Sequence, residues 1–251
     1  MKEGIVIKAI LMAAGRGSRI SREIESKCKC TLDIGGVSLI QHTVEMLLNR
    51  NIEVHIIVGF NKEQIIDCLK DYPVHFHYNA FYSVTNSLAS LWFAKEELSG
   101  DCIILGNADV FWEDDLLDVL LEDKRDCVML CDSSRVEQGD YLFKVVNDMI
   151  VDYGKGMSSQ RATAEYVGIA IIRNDMIAEC KKRLELLIDK QKCHDWWEQV
   201  LYSMTDERPV WAHDINGKFW AEIDYIEDYE RILKYVEENY EAKNICCGPV
   251  L

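Results

Sequence analysis

No stretch of the 251-residue chain reaches the roughly 18 consecutive apolar residues that a membrane helix needs, which excludes insertion of that kind. Positive charge is scarce too: 28 Lys and Arg stand against 43 Asp and Glu, a formal net charge of −15. With no basic stripe to displace counterions from a phosphate backbone, nucleic acid is excluded as a partner. No Pro/Gly-rich hinge, disordered linker or internal repeat divides the chain, which holds only 3 prolines. The ten cysteines are spread through a sequence that is 49% apolar and needs no disulfide staples. Cys28-x-Cys30 and Cys246-Cys247 are the close pairs, and neither joins a histidine at zinc-finger spacing. Free thiols in a reducing cytoplasm are the expectation. His42, His55, His75, His77, His194 and His213 show no metal spacing, and none is assigned a catalytic role. The opening segment imitates a secretory signal, with Lys2, an apolar run and Ala13-Ala14. Lys8 interrupts that run, and the segment reads as a buried first strand.

What is present is an alternation of two periods. Short apolar runs at 5–12, 54–58, 74–78, 102–105 and 127–131 predict buried parallel strands. Between them, apolar residues three and four apart predict helices at 39–48, 62–69, 88–98 and 114–121, with Asn61 and Asn86 as N-caps. This βαβ series implies an α/β fold with a doubly wound, mostly parallel sheet. Later residues read as a hairpin at 141–146 and 149–152 around Asn147-Asp148 and a loop at 154–159. A strand at 164–172, a helix at 175–187, a strand at 219–223 and a last helix at 226–238 follow.

The most informative segment follows the first strand: Leu11-Met12-Ala13-Ala14-Gly15-Arg16-Gly17-Ser18-Arg19. A strand ending in Ala-Ala-Gly-x-Gly-x-Arg lets bare backbone amides reach phosphates, while Arg19 and Lys29 bring positive charge to the same place. A dinucleotide fingerprint needs a third glycine where Ile20 stands, and a Walker loop needs Gly-Lys-Ser/Thr, which is absent. A nucleoside triphosphate suits the arrangement.

Joined to Lys29-Cys30-Thr31-Leu32-Asp33-Ile34-Gly35-Gly36-Val37-Ser38-Leu39-Ile40, the turn resembles the nucleotidyltransferases that join a phosphorylated small molecule to an NTP. The family's Pro-Lys pair stands here as Cys28-Lys29, with Lys27 as the other cation of the segment. The resemblance implies a Rossmann-like nucleotidyltransferase domain over 1–251. Its nucleotide-binding half would end near 132, an acceptor-binding elaboration would occupy about 133–225, and a C-terminal helix and tail would complete it. It further implies Mg²⁺ held by Asp109, in Gly106-Asn107-Ala108-Asp109, and by Asp224, in Glu222-Ile223-Asp224, with Lys29 and Arg19 catalytic. The other readings are local: Asp109 capping the helix after Trp112, and Asp224 capping the last helix with Glu227 as its partner.

Val58-Gly59-Phe60, Asn79-Ala80-Phe81-Tyr82 and Asn86-Ser87-Leu88-Ala89-Ser90-Leu91 are similar to segments of the bacterial phosphocholine cytidylyltransferase branch. The implied nucleotide contacts are Leu11, Ala13, Ala14, Gly15, Gly17, Ser18, Gly59, Asn79, Asn86 and Ser87; turn and cap roles are the alternative for the asparagines. His194-Asp195-Trp196-Trp197-Glu198 resembles the branch's aromatic-Trp-Glu segment. Aromatic faces with a nearby carboxylate hold an ammonium group, at ~0.5–2 kcal/mol per face, although core packing is an equally ordinary use of Trp and Tyr. Glu165, Tyr166, Asp195, Trp196, Trp197, Glu198 and Trp220 are the acceptor-site candidates. The expected reactants are CTP and phosphocholine or a relative such as phosphoethanolamine or 2-aminoethylphosphonate. Sugar 1-phosphates, and a nucleotide-sensing domain without turnover, are the alternatives.

Overall fold

The structure is a computed structural model that describes residues 5–17, 19–20, 23–25 and 27–246. Ser18 and Cys247 lie outside the described residues. Strand β1 (Ile7–Ala13) is buried on both sides: Ala9, Leu11 and Ala13 point into one core and Ile10 and Met12 into the other. That two-sided burial is why a continuous apolar run, not an alternating one, encodes a central parallel strand. Helix α1 (Leu39–Leu48) begins at a capping box, with Ser38 Oγ accepting from Gln41 N at 3.3 Å and Gln41 Oε1 accepting from Ser38 N at 2.9 Å. Strand β2 (Glu53–Val58), helix α2 (Lys62–Cys68) and strand β3 (Val74–Tyr78) follow. Asn61 stands at the N-cap position of α2 in a left-handed conformation, φ 44°, and makes no side-chain cap bond, unlike the expected capping role. An asparagine tolerates that conformation at little cost, so the backbone turn decides its place here.

Asn86 does cap α3 (Ser87–Phe93), its side chain accepting from Ser87 N at 2.8 Å. That helix stops short of the expected residue 98 because Ala94 leaves helical geometry at φ −109° and a 3₁₀ turn, Lys95–Glu97, replaces the last turn. Strand β4 (Cys102–Asn107), the two-residue β5 (Val110–Phe111), helix α4 (Asp114–Glu122) and strand β6 (Cys127–Asp132) complete the first half. Strands β7 (Tyr141–Val146) and β8 (Met149–Lys155) form the expected hairpin. Asn147 and Asp148 both take positive φ, 51° and 61°, as the primed turns that match strand twist require. Gly154 and Lys155, read from composition as loop, pair with Leu142 and Tyr141 and belong to β8.

Strand β9 (Ala164–Arg173), helix α5 (Asp175–Asp189), helix α6 (Gln199–Tyr202), strand β10 (Trp211–Asp214), strand β11 (Ala221–Glu222) and helix α7 (Ile226–Cys246) finish the chain. The strand expected at 219–223 shrinks to β11, which pairs with β5 outside the main sheet. Elements of two to four residues such as β5, β10 and α6 carry too little periodicity to be read from sequence.

Among the described residues, nine strands form one sheet in the order β3-β2-β1-β4-β9-β6-β10-β8-β7. Pairing is parallel through β3-β2-β1-β4 and between β6 and β10, and antiparallel where β9 enters between β4 and β6 and along β8 and β7. Helices α1, α2 and α4 cover one face and α3, α5 and α6 the other, the doubly wound arrangement of a mixed α/β fold. Helix α7 packs Ile232 against Phe111 and Ile223 in a third cluster, which carries the β11 segment to the sheet's carboxyl edge. Among the described residues no helix is long and apolar enough to cross a membrane.

Candidate active site

A cleft of about 390 Å³ opens at the carboxyl ends of β1 and β4, where open α/β sheets receive ligands. Its first wall is the glycine turn. Phe60 N bonds Ala14 O at 3.1 Å and Ala108 N bonds Met12 O at 3.1 Å, so the neighbouring loops anchor the turn. Gly17 has φ +59°, and a Cβ there would lie 2.9 Å from Lys29 Cγ; glycine serves both the backbone and the close passage of the lysine stem. Lys29 rises from a 3₁₀ turn, Lys29–Thr31, that follows Cys28. Cys28 has φ −68°, the value proline would impose, and donates its N–H to Gln64 Oε1 at 2.9 Å, a bond proline cannot make. Lys27 is exposed and does not line the cleft.

Lys29 Nζ lies 2.6 Å from Asp224 Oδ1 and 3.3 Å from Asp109 Oδ2, bringing together residues 195 and 80 positions apart. Arg19 pairs with the other Asp224 oxygen, and its guanidinium is 3.6 Å from Asp140 Oδ2. Burial alone would lower the Lys29 ammonium, but Asp109 and then Asp224 outweigh it and hold it above the usual lysine range. Burial would raise Asp224, yet Lys29 and Arg19 draw its carboxyl below the usual value. Neither aspartate is a helix cap. Asp228 receives Asp224 N at 3.1 Å and Tyr225 N at 2.9 Å at the head of α7, and α4 begins after Glu113, well past Asp109.

Glu222 is the third acid of the group, with Asn107 Nδ2 at 3.5 Å from its Oε1. Burial first, and then the charges of Asp109 and Asp224, push its carboxyl well above the usual range. Ile223, between it and Asp224, is buried in the core, so the two acids lie on the other side of the chain, toward the cleft. A donor set of three carboxylates suits a hard divalent cation, and their mutual repulsion is what such a cation would relieve.

The far wall carries Glu165, Tyr166, Trp196 and Glu198, together with Tyr141 and Lys155. Glu198 is 7% exposed, and among the described residues its Oε2 has no hydrogen-bond partner and the buried Tyr166 hydroxyl has none either. Burial pushes the Glu198 carboxyl up to about 8. Trp196 is half open and stands edge-on to Tyr141 at 6.0 Å, and Lys155 Nζ lies 4.9 Å from the Trp196 ring centroid. The chain thus sets one of its own ammonium groups over that ring. Glu165 faces the cleft with both oxygens engaged, by Arg135 Nε at 2.8 Å and Asp140 N at 3.1 Å.

Several expected contacts fall elsewhere. Leu11 is buried in the core behind the turn. Gly59 does not line the cleft; it lets strand β2 pass Ala14 and Tyr82, where a Cβ would come within 2.8 Å of Ala14 O. Asn79 is 1% exposed and spends its side chain on Thr85, Ser90 and Phe81 N, shaping the turn that leads to α3. Asn86 and Ser87 do line the cleft. Trp197 is wholly buried, with its Nε1 donating to Asn107 Oδ1 at 2.8 Å, so it orients Asn107 from behind. Trp220 is core as well, bonded to Asp132 Oδ2 at 3.0 Å. Asp195 lies in a neighbouring hollow with His194 and Gln199. The adjacent tryptophans separate at the turn before α6, one to the cleft and one to the core. Asn107, Tyr141 and Lys155 were not singled out by the sequence: Asn107 had a signal beside Asp109, whereas the other two reach the cleft only because β7 and β8 fold across it.

Residues 9–200 match the MobA-like NTP transferase domain, and the chain belongs to that family, making it a nucleotidyltransferase. It is 28% identical over 241 residues to the choline-phosphate cytidylyltransferase of Streptococcus pneumoniae, covering 90% of this chain and 96% of that protein. It is 24% identical over 252 residues to the CTP:phosphoglutamine cytidylyltransferase of Campylobacter jejuni, covering 89% and 98%. A shorter match, 34% over 112 residues, spans 45% of this chain and only 27% of the bifunctional protein GlmU of Methanococcus maripaludis. In three dimensions the fold is that of the CTP:phosphocholine cytidylyltransferase of Streptococcus pneumoniae, with a TM-score of 0.73 at 21% identity over 92% of this chain and 100% of that one.

Proposed function

We propose that this nucleotidyltransferase is a cytidylyltransferase that joins CTP to a small phosphorylated or phosphonylated amine, releasing pyrophosphate. The observation that carries the reading is the convergence of Lys29, Asp109 and Asp224 at the mouth of the glycine turn. An oxygen of the acceptor's phosphoryl group attacks the α-phosphorus of CTP; the new P–O bond forms as the bond to pyrophosphate breaks. Because that oxygen is already ionised near neutral pH, no general base is required. The residues' work is alignment and neutralisation. The amides of the glycine turn receive the phosphates, Lys29 turns from its carboxylates toward the triphosphate, and Arg19 offsets the repulsion between the two anions. Asp109, Asp224 and Glu222 would hold Mg²⁺, which when bound supplies charge neutralisation at the triphosphate.

The ammonium end of the acceptor lies against Trp196, Tyr141 and Tyr166 with Glu198 as counter-charge. Lys155 over Trp196 supports a cation at that ring, and the unpaired Glu198 Oε2 supports one that donates hydrogen bonds. Primary amines, phosphoethanolamine or 2-aminoethylphosphonate, are therefore favoured over phosphocholine. Near-full-length relatives bear names with acceptors as different as phosphocholine and phosphoglutamine, which supports an acceptor choice made at the far wall of the cleft. The test is pyrophosphate release with each NTP paired against phosphoethanolamine, 2-aminoethylphosphonate, phosphocholine, phosphoglutamine and hexose 1-phosphates. Turnover of CTP with the amines is expected, with the primary amines fastest. Turnover confined to UTP and a hexose 1-phosphate overturns the reading.

A further inference from the structure

A second cluster of ligating side chains lies away from the cleft, on the α3 face of the sheet toward the amino ends of β1 and β2. His55 on β2 and His77 on β3 point from neighbouring strands, and Glu97 comes from the 3₁₀ turn that replaces the end of α3. Sequence spacing hides this grouping, since 22 residues separate the histidines and the strands meet only in the sheet. One ligand atom from each of His55, His77 and Glu97 lies within 4.8 Å of the others.

From this juxtaposition we propose that His55, His77 and Glu97 form a binding site for a zinc-class divalent cation, separate from the oxygen-ligand site of the cleft. His55 Nδ1 is 3.1 Å from His77 Nε2. Ligands about 2.0–2.1 Å from a tetrahedral zinc stand about 3.3 Å apart, so small ring shifts open the pair around an ion. Glu53 Oε1 accepts a hydrogen bond from His55 Nε2 at 2.9 Å, with Glu97 Oε2 3.6 Å from the same nitrogen, and this leaves the Nδ1 lone pair aimed at His77. A carboxylate behind a ligating imidazole is the usual way such a ring is oriented. Lys8 Nζ holds Glu97 Oε2 at 2.8 Å and so fixes the carboxylate beside the rings, and His75 stacks on His55 at 4.9 Å. Two imidazole nitrogens and one carboxylate oxygen select zinc, cobalt or nickel over magnesium and calcium, which want oxygen alone, and three protein ligands leave a fourth position for water. A bound ion would tie β2 and edge strand β3 to the segment after α3, the helix whose first residues line the cleft.

The experiment strips the full-length protein with a chelator and titrates it with Zn²⁺ and, as a spectroscopic probe, Co²⁺. Excess Mg²⁺ is present throughout to occupy the carboxylates of the cleft. Wild type is expected to bind about one equivalent, with intense visible bands for Co²⁺ in a low-coordinate nitrogen-oxygen site. His77→Gln and Glu97→Gln should each weaken binding at least about tenfold while leaving Mg²⁺-dependent turnover unchanged. His55 is 2% exposed, and its replacement endangers folding; His77 and Glu97 are more open and keep the test decisive. Affinity unchanged in both variants, or wild type binding no Zn²⁺ under these conditions, overturns the site.

Discussion

Replacing Glu198 by Gln removes one buried ionisable group and nothing of comparable size, so its effect can be worked out in both stability and binding. Burial lifts this carboxyl from the usual 4.5 to about 8. Between those two values the folded protein keeps a proton that the unfolded chain has released, so stability falls as pH rises through the window. At about 1.36 kcal/mol per pH unit, forcing the charge into the fold costs on the order of 5 kcal/mol by its upper end, a ceiling that relaxation would reduce. Glu198→Gln should match wild type near the acid edge of the window and grow steadily more stable than wild type toward its alkaline edge. Urea denaturation at several values between about pH 5 and 8 measures the difference directly. The shifted carboxyl of Glu222 is present in both proteins, and Glu198 acts on it less than burial, Asp109, Asp224 or Lys29 do, so most of its contribution cancels. In wild type, an ammonium-bearing acceptor should ionise Glu198 and release a proton on binding near neutral pH, seen in calorimetry as a heat that depends on the buffer. The variant should lose that release and bind amines at least about tenfold more weakly. Parallel stability profiles for the two proteins, or undiminished proton release in the variant, would refute the reasoning.

Two further sets of variants test the rest of the cleft. Lys29→Ala and Asp109→Asn should each lower kcat by about 10²–10³, equivalent to ~2.7–4 kcal/mol of barrier, with near-wild-type circular dichroism; a rate within a few-fold of wild type in either protein removes it from the site. Trp196→Ala should raise the KM for the amine while sparing the KM for CTP. Trp220→Phe should instead lower thermal stability through the lost bond to Asp132 and leave both KM values alone; the opposite pattern would return Trp220 to the acceptor wall.

Much of the cleft was legible because its chemistry lies where periodic elements end. The run before Ala13 reads as a two-sided buried strand, and a glycine turn after such a strand faces the carboxyl edge of the sheet, as Gly15 and Gly17 do. Asp109 after β4 was readable for the same reason. Asp224 was expected through the resemblance carried by Glu222-Ile223-Asp224, although the strand before it proved to be two residues long. The far wall was less legible: Trp196 and Trp197 are chemically alike, and only the turn before α6 sends the first to the cleft and the second to Asn107.

The sequence by itself therefore determined the βαβ architecture, the glycine turn and the charged residues around it, because hydrophobic period and local turn chemistry are properties of neighbouring residues. Tertiary structure alone decided which aromatics pack and which face the cleft, that Tyr141 and Lys155 cross it, and that His55, His77 and Glu97 meet. Those outcomes depend on how separate strands register in one sheet, and that register is set by burial summed over the whole fold rather than by any spacing along the chain.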